Sequence, residues 1–164
     1  MEQLLTSSEF ASRLEVFETA FLCTRRPDGE ELYARPMQLV KSDPSGVLWF
    51  ATCLSGEKAD AIQAHPQVAV TFQQGRHYAT VSGRAEVHQD RARIRGMWSE
   101  SLRPWFPDGP ESVDLGLIGV SVEHGELWDQ SGVLRRIRRL AEAGKAYATG
   151  GTLHEQPYDH ARLS

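Results

Sequence analysis

The residues best placed for chemistry are a serine and a lysine at the start of a short predicted helix. Ser55 is a possible N-cap for a helix over residues 56–64, which Pro66 ends, and Lys58 follows three residues after Ser55. A helix start presents unpaired N–H groups and a partial positive charge. A hydroxyl and an ammonium beside it favour an anion, so we predict an anion-binding corner here. The alternative for Lys58 is a solvated surface charge.

A second feature is a group of aromatic residues in a proline-rich stretch. Trp98, Trp105 and Phe106 lie within nine residues, and the segment 99–112 contains three prolines and one glycine, which predicts an ordered loop. These aromatic side chains can form an apolar wall for a planar ligand. The alternative is that they fill a gap between a helix and a sheet.

No catalytic group is legible in the sequence on its own. The six histidines are scattered, and no Ser–His–Asp order, paired catalytic carboxylates or metal cluster appears. Cys23 and Cys53 do not form a CxxC pair and are predicted to be buried thiols. Catalysis, if there is any, must therefore come from a bound cofactor.

The composition bounds the class of protein. With 164 residues, 40% hydrophobic and 24% charged, the chain suits one folded domain, which we place at residues 1–143 with a mobile tail at 144–164. The net charge of −4 argues against binding to nucleic acid or an anionic membrane. Without an apolar leader or a run of about 18 apolar residues, we expect a cytoplasmic location.

The predicted secondary structure that must position these residues consists of strands with short helices between them. Thr6 and Glu9 form a capping box for a helix over 7–18, and Asp90 caps another that reaches Trp98. A basic helix is predicted from beyond Gly132 to about Ala143. The predicted strands are 20–24, 32–41, 47–52, 68–72, 78–87, 115–122 and 126–129. Six or seven strands with only short helices between them predict a mainly β fold, a closed or nearly closed antiparallel barrel.

The order of several motifs makes the chain similar to a known family. Together they span roughly residues 8–140 and are Arg35-Pro36-Met37, Leu48-Trp49-Phe50-Ala51-Thr52, Lys58, His65-Pro66-Gln67-Val68, Val81-Ser82-Gly83-Arg84-Ala85-Glu86, the loop 105–110 and Glu126-Leu127-Trp128-Asp129. In this order and spacing the chain resembles the pyridoxamine 5′-phosphate oxidase-like FMN-binding split barrels, and within them the general stress protein branch.

The resemblance implies an FMN site built by two chains of a homodimer. Arg35, Pro36, Met37, Ala51 and Thr52 would line the ring and ribityl side, with Ser55 and Lys58 at the phosphate. Tyr78 stands where the oxidases carry a glutamine that touches FMN, although it is equally well explained as an ordinary strand aromatic. Trp128 and Arg138 match a Trp and an Arg that the partner subunit contributes. FMN is therefore the implied cofactor and the homodimer the implied assembly.

Departures from the family pattern bear on the reaction. Glu57 stands where the oxidases have an arginine, which argues for weaker FMN binding. Gly96 and Glu100 replace a Tyr and an Arg that hold the substrate phosphate, which disfavours pyridoxamine 5′-phosphate as substrate. We therefore predict an FMN-dependent oxidoreductase with a small planar substrate and a nicotinamide or small organic donor. The alternatives are a flavin-holding stress protein without turnover, a barrel that binds a deazaflavin, and, least favoured, a true pyridoxamine 5′-phosphate oxidase.

Overall fold

The computed structural model describes residues 3–129 and 159–163 of the chain. Three short helices lie in this part: α1 (Ser7–Leu14), α2 (Glu57–Ala64) and α3 (Arg91–Met97). The strands are β1 (Gln3–Leu5), β2 (Thr19–Arg25), β3 (Leu32–Ser42), β4 (Val47–Cys53), β5 (Gln67–Gln74), β6 (His77–His88), β7 (Leu115–Asp129) and β8 (Asp159–Leu163). The predicted helix beyond Gly132 lies outside the described residues.

Six strands close into an antiparallel barrel. β2 pairs with β3, β3 with β4, β4 with β7, β7 with β6, β6 with β5, and β5 returns to β2. A closed sheet leaves no edge within the ring. The predicted mainly β split barrel with short flanking helices is confirmed.

The barrel forms because its strands alternate buried and exposed residues. β5 reads exposed, buried, exposed, buried along Gln67–Phe72, so that Val70 and Phe72 point inward. One core cluster fills the barrel interior, and α1 contributes Phe10 and Leu14 to it. The predicted capping box of α1 is confirmed, since Thr6 and Glu9 exchange hydrogen bonds at the helix start.

Two element boundaries differ from the prediction. α1 ends at Leu14 and not near residue 18, because the Glu15 N–H turns back to the Ser12 carbonyl. The two strands expected at 115–122 and 126–129 are one strand, β7, whose register shifts opposite Ser82 and Gly83. Such a bulge lets a long strand bend around the barrel without a turn.

The five residues of β8 lie in the segment predicted to be a mobile tail, and they form a strand. Asp159–Leu163 pairs antiparallel with Glu126–Asp129 of β7 and parallel with β1. The end of β7 beyond its contact with β4 offers an open row of backbone groups, and β8 satisfies it. In the described part of the chain, no helix is long and apolar enough to cross a membrane.

Candidate functional site

A groove of about 500 Å³ collects most of the predicted ligand-binding residues. We call it the strand–loop groove, because β3, β4, α2 and the loop after α3 form its walls. Its lining residues are Glu18, Thr19, Pro36, Met37, Gln38, Ala51, Thr52, Cys53, Lys58, Leu102, Trp105 and Phe106. Seven of the residues predicted from the sequence, namely Pro36, Met37, Ala51, Thr52, Lys58, Trp105 and Phe106, are thus brought together.

The end of β4 and the first turn of α2 set one end of the groove. Thr52 is buried, and its hydroxyl lies 3.4 Å from the Cys53 carbonyl oxygen. Burial and the neighbouring carboxylate of Asp114 raise the pKa of the Cys53 thiol, so the thiol stays protonated at neutral pH. Lys58, half-buried, presents the cation at this end.

Ser55 does not cap α2 as predicted. The N-cap residue is Gly56, which has no side chain to accept a hydrogen bond. The Ser55 N–H donates to Asp114 Oδ1 over 2.8 Å, and hydrogen bonds from the Ser55 backbone and hydroxyl lower the pKa of Asp114. Ser55 directly precedes the N-cap residue and is not among the residues that line the groove.

Arg35 lies beside the strand–loop groove but does not line it. Its guanidinium stacks over Tyr33 with 4.9 Å to the ring centroid, and one of its nitrogens lies 3.5 Å from the Thr24 hydroxyl. Another nitrogen lies 3.9 Å from a carboxylate oxygen of Glu57, in the first turn of α2. Arg35 thus lies next to Pro36 in the chain, but its guanidinium is held by Tyr33, Thr24 and Glu57 beside the groove.

The loop after α3 is held by arginine contacts. Arg103 pairs with the Glu100 carboxylate and donates to the Pro107 carbonyl, and the Trp98 indole N–H donates to Glu100 over 3.0 Å. The hydrogen bonds from Arg103 and Trp98 lower the pKa of Glu100 to about 2. Trp98 thus supports the loop and is not among the residues that line the groove, and its predicted role at a substrate stays a prediction.

The two remaining aromatics of the loop differ in exposure. Phe106 is buried in a second core cluster, outside the barrel, with Trp49, Ile94 and Leu102. Trp105 keeps 64% of its surface exposed at the groove. The wall therefore has one fixed and one open aromatic side chain.

Tyr78 and Trp128 line a separate groove of about 540 Å³, which we call the Trp128 groove. Its lining residues are Thr19, Phe21, Thr71, Phe72, Gln73, Tyr78, Ala79, Thr80 and Trp128. Thr19 lines both grooves, so they lie on either side of β2. Phe21, also on β2, is 51% exposed between them. Arg138, predicted as a flavin contact, lies outside the described residues.

A third groove shares Tyr78 and Trp128 with the second, and sequence reasoning missed it. It measures about 490 Å³ and is also lined by residues of α1 and by His160 of β8. No periodicity or motif marks residues 159–163 in the sequence, so nothing there pointed to His160. In residues 3–129 and 159–163, no group of three or more His, Cys, Asp or Glu side chains could hold a metal ion.

Comparisons with known proteins agree with this architecture. Protein bli-3 of Neurospora crassa is 26% identical over an alignment of 133 residues that covers 74% of this chain, and the chain spans 59% of the length of that protein. A solved structure of general stress protein 26 from Jannaschia sp. CCS1 is 25% identical with a TM-score of 0.65, over 94% of this chain and 95% of that one.

A second solved structure has the same fold at lower identity. It is the general stress FMN/FAD binding protein of Xanthomonas citri, with 21% identity and a TM-score of 0.65, over 77% of this chain and 89% of that one. Residues 6–154 match the family described as pyridoxamine 5′-phosphate oxidase like. The family match covers most of the sequence, and the closed barrel is shared with these solved structures. The chain therefore belongs to the pyridoxamine 5′-phosphate oxidase-like family.

Proposed function

We propose that this protein binds a flavin, in the form of FMN, in the strand–loop groove. The observation that carries the proposal is the groove itself, which joins an apolar wall of Met37, Trp105 and Phe106 to the single cation Lys58 among its lining residues. A flavin mononucleotide has the matching shape, a planar ring system at one end and a phosphate at the other. A volume of about 500 Å³ is typical of pockets for ligands of this size.

We also propose that the flavin is enclosed by two chains of a homodimer. Lys58 and Tyr78 line different grooves of one chain, on either side of β2, so one chain does not surround a ligand with both sets of residues. A two-fold axis through the exposed face of β2 would set the strand–loop groove of each chain against the Trp128 groove of the other. The exposed Phe21 gives that face the apolar centre that a stable interface needs.

The residues of the chain would bind and orient, and a flavin would supply the capacity to accept and donate a hydride. Trp105 is open at the groove and would stack on a planar substrate, while Phe106 behind it is fixed by packing. We propose a nicotinamide or small organic donor for such an oxidoreductase. Pyridoxamine 5′-phosphate is disfavoured because Arg103, the nearby cation of the loop, is already paired with Glu100.

A second candidate is a flavin-holding protein without turnover. Among the residues that line the strand–loop groove, the ionisable side chains are Glu18, Cys53 and Lys58. The raised pKa of the Cys53 thiol disfavours it as a base or nucleophile at neutral pH. This scarcity of proton-transfer groups favours storage or sensing of the flavin over reactions that need an acid or base.

Two measurements on the purified protein test these proposals. The absorbance spectrum after reconstitution with FMN and gel filtration should keep the flavin bands, and sedimentation should give a dimer. A colourless protein that does not retain FMN would refute the proposed function, and a monomer that binds FMN tightly would refute the shared site. Anaerobic NADH or NADPH then separates the two candidates, because an oxidoreductase should bleach bound FMN faster than free FMN.

A further inference from the structure

Three aromatic side chains lie in register across the outer face of β6, β7 and β8. Tyr78 is opposite Trp128 in the β6–β7 ladder, and Trp128 is opposite His160 in the β7–β8 ladder. Directly opposed residues on one face of a sheet lie close enough for their side chains to interact. Trp128 is thus flanked on both sides, and its outer neighbour comes from β8.

The contact between Trp128 and His160 is a parallel stack. The ring centroids are 5.3 Å apart and the ring planes meet at 10°. His160 Nε2 lies 2.9 Å from one carboxylate oxygen of Glu126, and Arg162 Nε lies 3.3 Å from the other. Glu126 of β7 therefore holds two side chains of β8 at once. The imidazole cannot turn without losing either the stack or this hydrogen bond.

We propose that His160 is a positioning residue for the flavin site, acting by fixing the indole of Trp128. The proposal rests on the proposed function, in which Trp128 contacts the flavin held by the partner chain. Without a stacked neighbour, the half-exposed indole would sample several orientations and lose that freedom on binding. With His160 in place, the indole is already ordered before the ligand arrives.

The matched variants are His160→Ala and His160→Phe, with His124→Ala as control. His124 is an exposed residue on β7, away from the groove linings. An aromatic stack of this kind predicts that His160→Ala weakens binding about threefold to tenfold. Phenylalanine keeps the stack and should restore most of the affinity, which a merely structural role of the imidazole in β8 would not produce.

The experiment titrates each folded variant with FMN and with riboflavin and follows the quenching of flavin fluorescence. We expect His160→Ala to weaken both ligands by the same factor, since Trp128 would touch the ring and not the phosphate. Equal affinity of His160→Ala and the His124→Ala control would overturn the inference, and so would a His160→Phe variant as weak as His160→Ala. A wild-type protein that binds neither ligand would instead refute the proposed function.

Discussion

Replacing Glu57 by glutamine should tighten the binding of FMN but not of riboflavin. Glu57 lies 3.9 Å from Arg35 at the start of α2, one residue before Lys58. The Glu57 carboxylate repels an incoming phosphate. It also pairs with the Arg35 guanidinium, which could otherwise attract that phosphate. Glutamine has nearly the same shape and no charge, so the change isolates the electrostatic effect.

The magnitude follows from the distance and the exposure of the pair. Two unit charges 3.9 Å apart interact by about 4 kcal/mol at an effective dielectric constant of about 20. The Glu57 side chain is half-exposed, and exposed pairs are measured at about 0.2 to 1 kcal/mol, so we adopt the upper part of that range. FMN should therefore bind about two- to fivefold more tightly to the variant.

The assay is a fluorescence titration of the reconstituted protein with FMN and with riboflavin, at low and high salt. The gain for FMN should shrink at high salt because exposed charges are screened. Glu111→Gln is the control, since Glu111 also pairs with an arginine, Arg95, but is not adjacent to Lys58 in the chain as Glu57 is. An unchanged FMN affinity, or an equal change for riboflavin, would refute the role assigned to Glu57.

Three further predictions concern the same groove, its loop and the barrel. Lys58→Ala should weaken FMN by about 1 to 3 kcal/mol, on the order of tenfold to a hundredfold, and leave riboflavin nearly unchanged in the same titration; equal losses would mean that Lys58 acts through the fold. The FMN-loaded protein should not form pyridoxal 5′-phosphate from pyridoxamine 5′-phosphate in an oxygen-coupled assay, because Arg103 is held by Glu100; robust turnover at micromolar substrate would contradict this. Gly83→Ala should cost about 3 kcal/mol or more in denaturant unfolding, because its Cβ would lie 2.0 Å from the Ser121 carbonyl oxygen, whereas Gly96→Ala has open space around it and should not destabilise; equal stabilities would refute the bulge geometry.

The barrel could be predicted from the sequence because its signals are local. The alternation of apolar and polar residues in β5 and β6 and the capping box of α1 each act over a few residues, and the structure confirms them. Strand β8 has no such signal. Its sequence, Asp-His-Ala-Arg-Leu, is mostly polar, and what makes it a strand is the open edge of β7 some thirty residues earlier.

The candidate site shows the same division between local and distant causes. Three residues line the groove because the helix or strand in which each lies forms part of its wall, namely Lys58 in α2, Met37 in β3 and Thr52 in β4. The N-cap prediction for Ser55 was wrong because its hydrogen-bond partner, Asp114, is 59 residues away along the chain and cannot be read from local spacing. The indole N–H of Trp98 donates to Glu100, a contact that spacing alone does not reveal.

The arginine contacts of the loop after α3 bear on how fast a ligand can enter. Arg91 donates to the Pro110 and Val113 carbonyls, Arg95 pairs with Glu111, and Arg103 pairs with Glu100, so the loop is tied at both ends. A loop tied in this way does not have to open and close around a ligand as a lid does. Association should therefore follow a single exponential whose rate rises linearly with ligand concentration, without a slow plateau.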